Sequence, residues 1–410
     1  MSWTAAMEAR DLARGFDINA IDEAFLADPY PTYRALREHD PVHRNPDGSI
    51  FLTRYADVEL AYKHRSMTSD KRAEFGPKFG HGPLYRHHTT SLVFNDDPYH
   101  ARVRKLLAGA FTPRKLGELT PLIAAIVARL LDGLEHCREF DAIEEFAIPL
   151  PTEVIGSMLG VPASHRSALR KYSTDILGAL DPVVPEARLQ EGHASVEEFS
   201  ALLRELIAHR RAHPESAGMG EVLAALVFGE IDGERLNDEE LVHNSIFLLN
   251  AGHETTTSLV GSGLAILMDH PAELRRLKDD PALIGTAVDE FLRFESPVQI
   301  GNRKTTEPIT FGDVSVPAGT YLHTSIGGAN RDPAAFGEAD RVDIARSPNP
   351  HLAFITGRHT CLGNILGRIE ARLALGQFIE RFPNVRRAGA ARLLGRARFR
   401  GYDRLPVAIS

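Results

Sequence analysis

Two cysteines, Cys137 and Cys361, and one tryptophan are all that the 410 residues hold of those two types. So few cysteines cannot form the disulfide framework of a secreted scaffold, and they point to a reducing compartment. No window approaches the ~20 apolar residues needed to span a bilayer. The N-terminus, M-S-W-T-A-A-M-E-A-R-D, lacks the apolar run of a signal peptide, so a cytoplasmic protein with no membrane partner is expected. Concentrated positive charge is also missing: the net charge is −8, which argues against a nucleic-acid partner. The arginines from Arg386 to Arg404 read as solvated surface. What remains, 43% hydrophobic and 25% charged residues, describes an ordinary globular chain long enough to bury a large core.

Helical periodicity dominates that chain. Pro31 to Glu38 reads as a short helix, followed by a turn at Asn45-Pro46-Asp47-Gly48 and a strand from Ile50 to Arg54. The Gly-, His- and Pro-rich stretch from Lys71 to Thr90 has no periodicity and is expected to be a long loop, where His87 and His88, with Gln299, either lend some polarity to a substrate pocket or are simply solvated. The longest helix is expected over Asp238 to Asp269. Asn237 is its N-cap, Glu240 the capping-box partner, and Pro271 lies just past its end. Further helices are expected from Leu283 to Phe294 and from Gly363 to Pro383, with short strands between Pro308 and Tyr321. No repeat, low-complexity tract or linker interrupts the pattern, so one domain over 1–410, mainly α with small β-sheets, is expected.

The segment Phe354 to Gly363, F-I-T-G-R-H-T-C-L-G, sets Cys361 among small and basic residues just ahead of a helix. Cationic neighbours and a helix N-terminus stabilise a thiolate, and Gly357 and Gly363 allow a tight turn. Taken alone, Cys361 has three readings: a small buried hydrophobe, a nucleophile poorly placed beside His359, or an axial thiolate for heme iron. In A-G-H-E-T-T, Ala251 to Thr256, a Thr255 hydroxyl bonded to the preceding turn can open the helix, with Glu254 as an acid behind it. A polar patch at a helix contact is the alternative. Glu290 and Arg293 share a helix face as E-x-x-R, and Arg341 is expected to complete a buried ion network with them. His100 and Arg104 lie four apart on one face, where they either bind carboxylates, as Arg303 and His359 could from elsewhere, or form a solvated basic surface.

In order along the chain, H-x-x-x-R, A-G-x-E-T, E-x-x-R, A-N-R-D-P and F-x-x-G-x-x-x-C-x-G resemble the cytochrome P-450 family, specifically its soluble bacterial members. The likeness runs from D-P-Y-P-T-Y-R-A-L-R to L-P-V, almost the whole chain. It implies a helical prism with a minor β region and heme b (iron protoporphyrin IX) between two helices. By position, it implies Cys361 as the iron ligand, with Gly357 and Gly363 shaping its loop and Phe354 packing below the sulfur. His100, Arg104, Arg303 and His359 would bind the heme propionates. Glu290, Arg293 and Arg341 would form the supporting network. Ala251 and Gly252 would line an oxygen groove, and Glu254 and Thr255 would deliver protons. The implied activity is O2-dependent monooxygenation of a small, mostly apolar substrate, with two external electrons ultimately from NAD(P)H.

Several positions depart from the family's pattern. Ile355 stands where most bacterial members carry glycine, and Arg358 and Thr360 flank His359 where proline and an aromatic are frequent. Asn364, Gly367 and Val342 are further differences. A fused flavin or iron–sulfur domain is not expected, so a separate ferredoxin or flavodoxin with its reductase is expected, and Lys105, Arg114, Lys115, Arg358 and Arg368 are candidate docking charges. The substrate pocket is expected to draw on Phe94, Leu248, Val298, Gln299, Ile300 and Tyr402. Two rivals use other chemistry: a heme-thiolate peroxygenase or isomerase that bypasses O2, and a non-catalytic protein binding a hydrophobic ligand. The intact Glu254-Thr255 pair speaks against the first.

Overall fold

A computed structural model describes residues 3–181, 184–218 and 221–409. No helix among the described residues is long and apolar enough to cross a membrane. The chain divides into two compact units.

One unit is drawn from Met1–Thr68, Ser258–Cys361 and Pro383–Ala408. Its centre is a five-stranded sheet in the order Val42–Arg44, Ile50–Leu52, Tyr321–Ser325, Ile300–Thr305 and Met67–Thr68. Ile50–Leu52 and Tyr321–Ser325 run parallel, and the other neighbours are antiparallel. The first two strands form a hairpin closed at Asn45–Gly48, where Gly48 takes a φ of 84°. Successive strand residues face opposite sides of a sheet, and here both sides are covered. Ile50 and Leu52 join Val58, Phe311 and Leu322 in one cluster. Phe51, between them, packs with Phe16, Phe25 and Tyr33 in another. The expected strand therefore ends at Leu52 rather than Arg54, and Ile309–Phe311 pairs with Val314–Val316 as the hairpin expected after Pro308.

The other unit, drawn from Ser69–Thr257, Leu362–Phe382 and Ile409–Ser410, is almost wholly helical. Helix Asn364–Arg381 packs along Pro113–Leu134, which also packs on Pro149–Met158. Pro113 and Pro149 each open a helix, because the first turn needs no amide hydrogen from them. Asp238–Asp269 begins where its capping signals place it. Asn237 Oδ1 accepts from Glu240 N–H at 2.9 Å, and Glu240 Oε2 accepts from Asn237 N–H at 3.0 Å. At ~1.5 Å per residue this helix is about 48 Å long.

The stretch expected to be a loop from Lys71 to Thr90 is instead two short helices, Arg72–Phe79 and Pro83–Thr90. Tertiary burial decides the matter. Phe75, Phe79, Leu84, His87 and His88 are all buried, and Gly80, with a φ of 57°, ends the first helix. His87 and His88 are therefore buried, not solvated.

Candidate functional site

Cys361 is half-buried, three residues ahead of helix Asn364–Arg381. Its loop closes on itself: the Cys361 N–H donates to Phe354 O at 3.0 Å, and Thr360 N–H and Oγ1 both bond Gly357 O. Gly357 sits at a φ of 77°, and a Cβ there would lie 2.4 Å from Tyr62 O, so only glycine fits. Ile355 also takes a left-handed conformation, φ 48°, which is a strained outlier for a β-branched residue. The Arg358 side chain reaches back to Arg65 O and Met67 O, each at 3.4 Å, and His359 ends the one-turn helix Gly357–His359. Phe354 stacks at a tilt near His351, with ring centres 5.8 Å apart.

In the same unit, Glu290 and Arg293 are fully buried and paired through two 2.8 Å bonds. Arg293 also donates to the carbonyls of Asn330, Ala339 and Arg341. Arg341 was expected to bring its charge to this network but supplies only its carbonyl. Its guanidinium is 56% exposed and pairs with Glu338. Arg346 takes that place: its side chain is 11% exposed and its Nε lies 3.0 Å from Glu290 Oε2. Asn349 and the Asp343 N–H add further donors to Glu290. The exposed turn before Val342 lets Arg341 reach water, whereas Arg346 follows the chain back inward.

Arg303, on strand Ile300–Thr305, lies over the Tyr62 ring at 4.7 Å. Among the expected pocket residues, Ile300 is buried in the aromatic cluster of Phe16 and Phe51 and belongs to the core instead. Gln299 is likewise structural: Nε2 donates to Ser296 O and to the Tyr30 hydroxyl, and Oε1 fills the space over Gly327. Val298 forms a bridge to Phe399, and Tyr402, half-buried, lies under the Arg387 guanidinium.

In the helical unit, Thr255 Oγ1 donates to Ala251 O at 2.7 Å, as its motif suggests. The helix nevertheless stays α throughout, without the expected opening, since the hydroxyl adds a bond to that carbonyl rather than breaking the ladder. Ala251 is exposed, although its neighbours along the helix are mostly buried. Gly252, expected beside it in a groove, points instead at Ile155, whose Cδ1 would lie 2.4 Å from an added Cβ. Its smallness serves close helix packing. Glu254 is half-buried one turn from Asn250. His100 is buried and Arg104 half-buried, one turn apart on helix Tyr99–Ala108. Phe94 sits edge-on to Phe75 and His88, and Leu248 is half-buried on the long helix. Of the candidate docking charges here, Lys105 pairs with Asp232, Arg114 with Glu118, Lys115 binds Gly109 O, and Arg368 bonds Asn364.

Sequence reasoning missed Glu370. It is buried, and Thr256 Oγ1 donates to its Oε2 at 3.3 Å. Burial pushes its carboxyl up to about 8, only partly offset by the Thr256 hydrogen bond, so it is held mainly protonated near neutral pH. The signal was present: Leu366, Glu370, Ala374 and Phe378 recur every four residues, which puts an acid on an apolar stripe.

The donor chemistry fits heme. One thiol is presented by a loop of fixed shape, and each unit carries basic side chains of the type that pairs with carboxylates, Arg303 and His359 in one, His100 and Arg104 in the other. The Cytochrome P-450 family profile matches residues 41–281 and 282–385, most of the chain. The chain belongs to the cytochrome P-450 family. Cytochrome P-450 107B1 of Saccharopolyspora erythraea is 38% identical over 95% of this chain and 97% of its own length. The vitamin D(3) 25-hydroxylase of Pseudonocardia autotrophica is 36% identical over 98% and 97%. Among solved structures, P450BioI in complex with an acyl carrier protein ligated to hexadec-9Z-enoic acid superposes with a TM-score of 0.89. The two are 33% identical, over 95% of this chain and 99% of that one. As a cytochrome P-450 this protein is a heme-thiolate monooxygenase: it uses heme b with a cysteine thiolate, O2, and electrons derived from NAD(P)H through redox partners.

Proposed function

We propose that Cys361 is the thiolate ligand and that 1–410 works as a single cytochrome P-450 domain oxidising a small, mostly apolar organic molecule. The bound heme supplies the O2 chemistry, to which the thiolate donates electron density. The observation that carries the assignment is the Phe354–Cys361 loop. Its backbone bond from Cys361 N–H to Phe354 O and the pinned Gly357 fix the direction in which the sulfur is offered. Arg303 and His359 in one unit, and His100 and Arg104 in the other, each supply cations for propionates. Glu290, Arg293 and Arg346 hold the segment that leads into the cysteine loop by removing its freedom to shift. Thr255, its hydroxyl anchored on Ala251 O, holds a proton ready for transfer, with Glu254 as its source. Ala251, small and exposed one turn before Thr255, would line the oxygen groove.

Electrons come from a separate ferredoxin or flavodoxin with its reductase, and the sparse use of cysteine supports a cytoplasmic setting. The test is turnover of the heme-loaded protein with NADPH, a ferredoxin and its reductase, under labelled O2. One labelled oxygen atom should enter an apolar probe, and Cys361→His should abolish this while heme stays bound. Retained hydroxylation by that variant overturns the assignment.

A further inference from the structure

Helix Pro83–Thr90 meets the long helix along a buried seam that is polar where a core is ordinarily apolar. His87, His88, His243 and Asn250 are each at most 4% exposed. His87 and His88 have ring centres 4.7 Å apart, and His87 lies 5.8 Å from the His243 ring. His87 Nε2 is 3.4 Å from Asn250 Nδ2. The other polar atom of each group in that pair, His87 Nδ1 and Asn250 Oδ1, and the neighbouring His88 Nε2 are buried without a hydrogen-bond partner among the described residues. Phe75, Phe79 and Phe94 pack on His88 and close the surroundings with apolar surface.

We infer that this seam recognises a hydroxyl group on an otherwise apolar substrate. The chemistry of the pair requires an oxygen that both gives and takes a hydrogen bond. If the Asn250 amide donates to His87 Nε2, His87 Nδ1 carries a proton and Asn250 Oδ1 is left to accept. If the amide is turned, His87 Nδ1 accepts and the Asn250 NH2 donates. Either arrangement presents one donor and one acceptor, which a hydroxyl satisfies and a hydrocarbon leaves unmet. A carboxylate suits the seam poorly, because burial keeps both imidazoles neutral: His88 is lowered to about 3, and His87 is lowered well below its usual range. The placement is also directional. Asn250 immediately precedes Ala251 and lies one helical turn before Glu254, about 6 Å along the axis. A hydroxyl held there sets the rest of the molecule against the Ala251–Thr255 segment.

The inference rests on the monooxygenase site proposed above, and the experiment separates the two. Heme-loaded protein is titrated with adamantan-1-ol, adamantane and adamantane-1-carboxylate, and with a hydroxysteroid and its deoxy parent, by the substrate-induced spectral shift. The alcohols should bind about tenfold or more tighter than the hydrocarbons, with the carboxylate weakest. His87→Phe and Asn250→Leu should bring the alcohol-to-hydrocarbon ratio near one, while both variants keep the red-shifted Soret band of the reduced carbon monoxide complex. Equal binding of alcohol and hydrocarbon by the unaltered protein, or an undiminished ratio in the variants, overturns the inference while leaving the heme assignment intact. Thermal unfolding without substrate guards against a merely structural role. Asn250→Leu should leave the midpoint unchanged or raised, and a fall of several degrees with the ratio preserved makes these core residues.

Discussion

Replacing Ile355 with glycine removes a strained backbone and a half-buried side chain in one step, and the two effects oppose each other. At φ 48° the isoleucine Cβ crowds its own carbonyl, costing about 1–2 kcal/mol. Its side chain packs against the cluster of Leu352, Tyr62 and Ile326 but is only partly buried. Its loss therefore costs about half of the ~1.5–3 kcal/mol of a fully buried residue. Glycine adds an unfolded-chain entropy penalty of roughly 0.5–1 kcal/mol. The net change is within about 1 kcal/mol of zero, from the same relief and losses. An unstrained isoleucine of equal burial would lose about 2 kcal/mol from the last two effects alone. Urea denaturation of the heme-loaded protein, with Ile355→Val as the variant that keeps the strain, distinguishes these cases. If Ile355→Gly costs more than about 2 kcal/mol, the strain argument is wrong.

Three other outcomes follow from particular contacts. Arg346→Ala should destabilise by about 3 kcal/mol, because it removes a partner of the fully buried Glu290; Arg341→Ala should change thermal stability little, since its side chain is exposed. Equal effects would contradict the assignment of the network. Glu370 is protonated in the folded protein up to about pH 8 but ionises near 4.5 when unfolded. The stability of its neutral form is therefore fully present below about 4.5 and is lost as pH rises towards 8. Glu370→Gln should accordingly flatten the decline in stability between those limits, and denaturation curves that stay parallel to those of the unaltered protein would refute the shift. Thr255→Ala should lower oxygenated product by on the order of 10²-fold with the carbon monoxide spectrum preserved, and unchanged product yield per NADPH would remove Thr255 from proton delivery.

Local signals were legible wherever they act through the backbone. The Asn237–Glu240 capping box located the start of the longest helix, and Gly357 marked a turn that no other residue fits. The errors arose where distant residues decide. Nothing in the stretch from Lys71 to Thr90 is periodic enough to announce two helices, which exist because their aromatic and histidine side chains are buried. Arg341 and Arg346 are equally basic, and only the path of the chain selects which one reaches Glu290. Gly252 looked like room for a ligand because a sequence does not show that Ile155 occupies the space. Ile300 and Gln299 were placed in a pocket by position, whereas packing assigns both to the interior.

The account's central claim is that Cys361 is the thiolate on the heme iron. The most direct test is the spectrum of the dithionite-reduced protein under carbon monoxide, with Cys361→His and Cys137→Ser measured alongside. The unaltered protein and Cys137→Ser should both show the red-shifted Soret band of a thiolate-ligated heme, and Cys361→His should bind heme without it. A red-shifted band that survives in Cys361→His would contradict the assignment, as would its absence from the unaltered, heme-loaded protein.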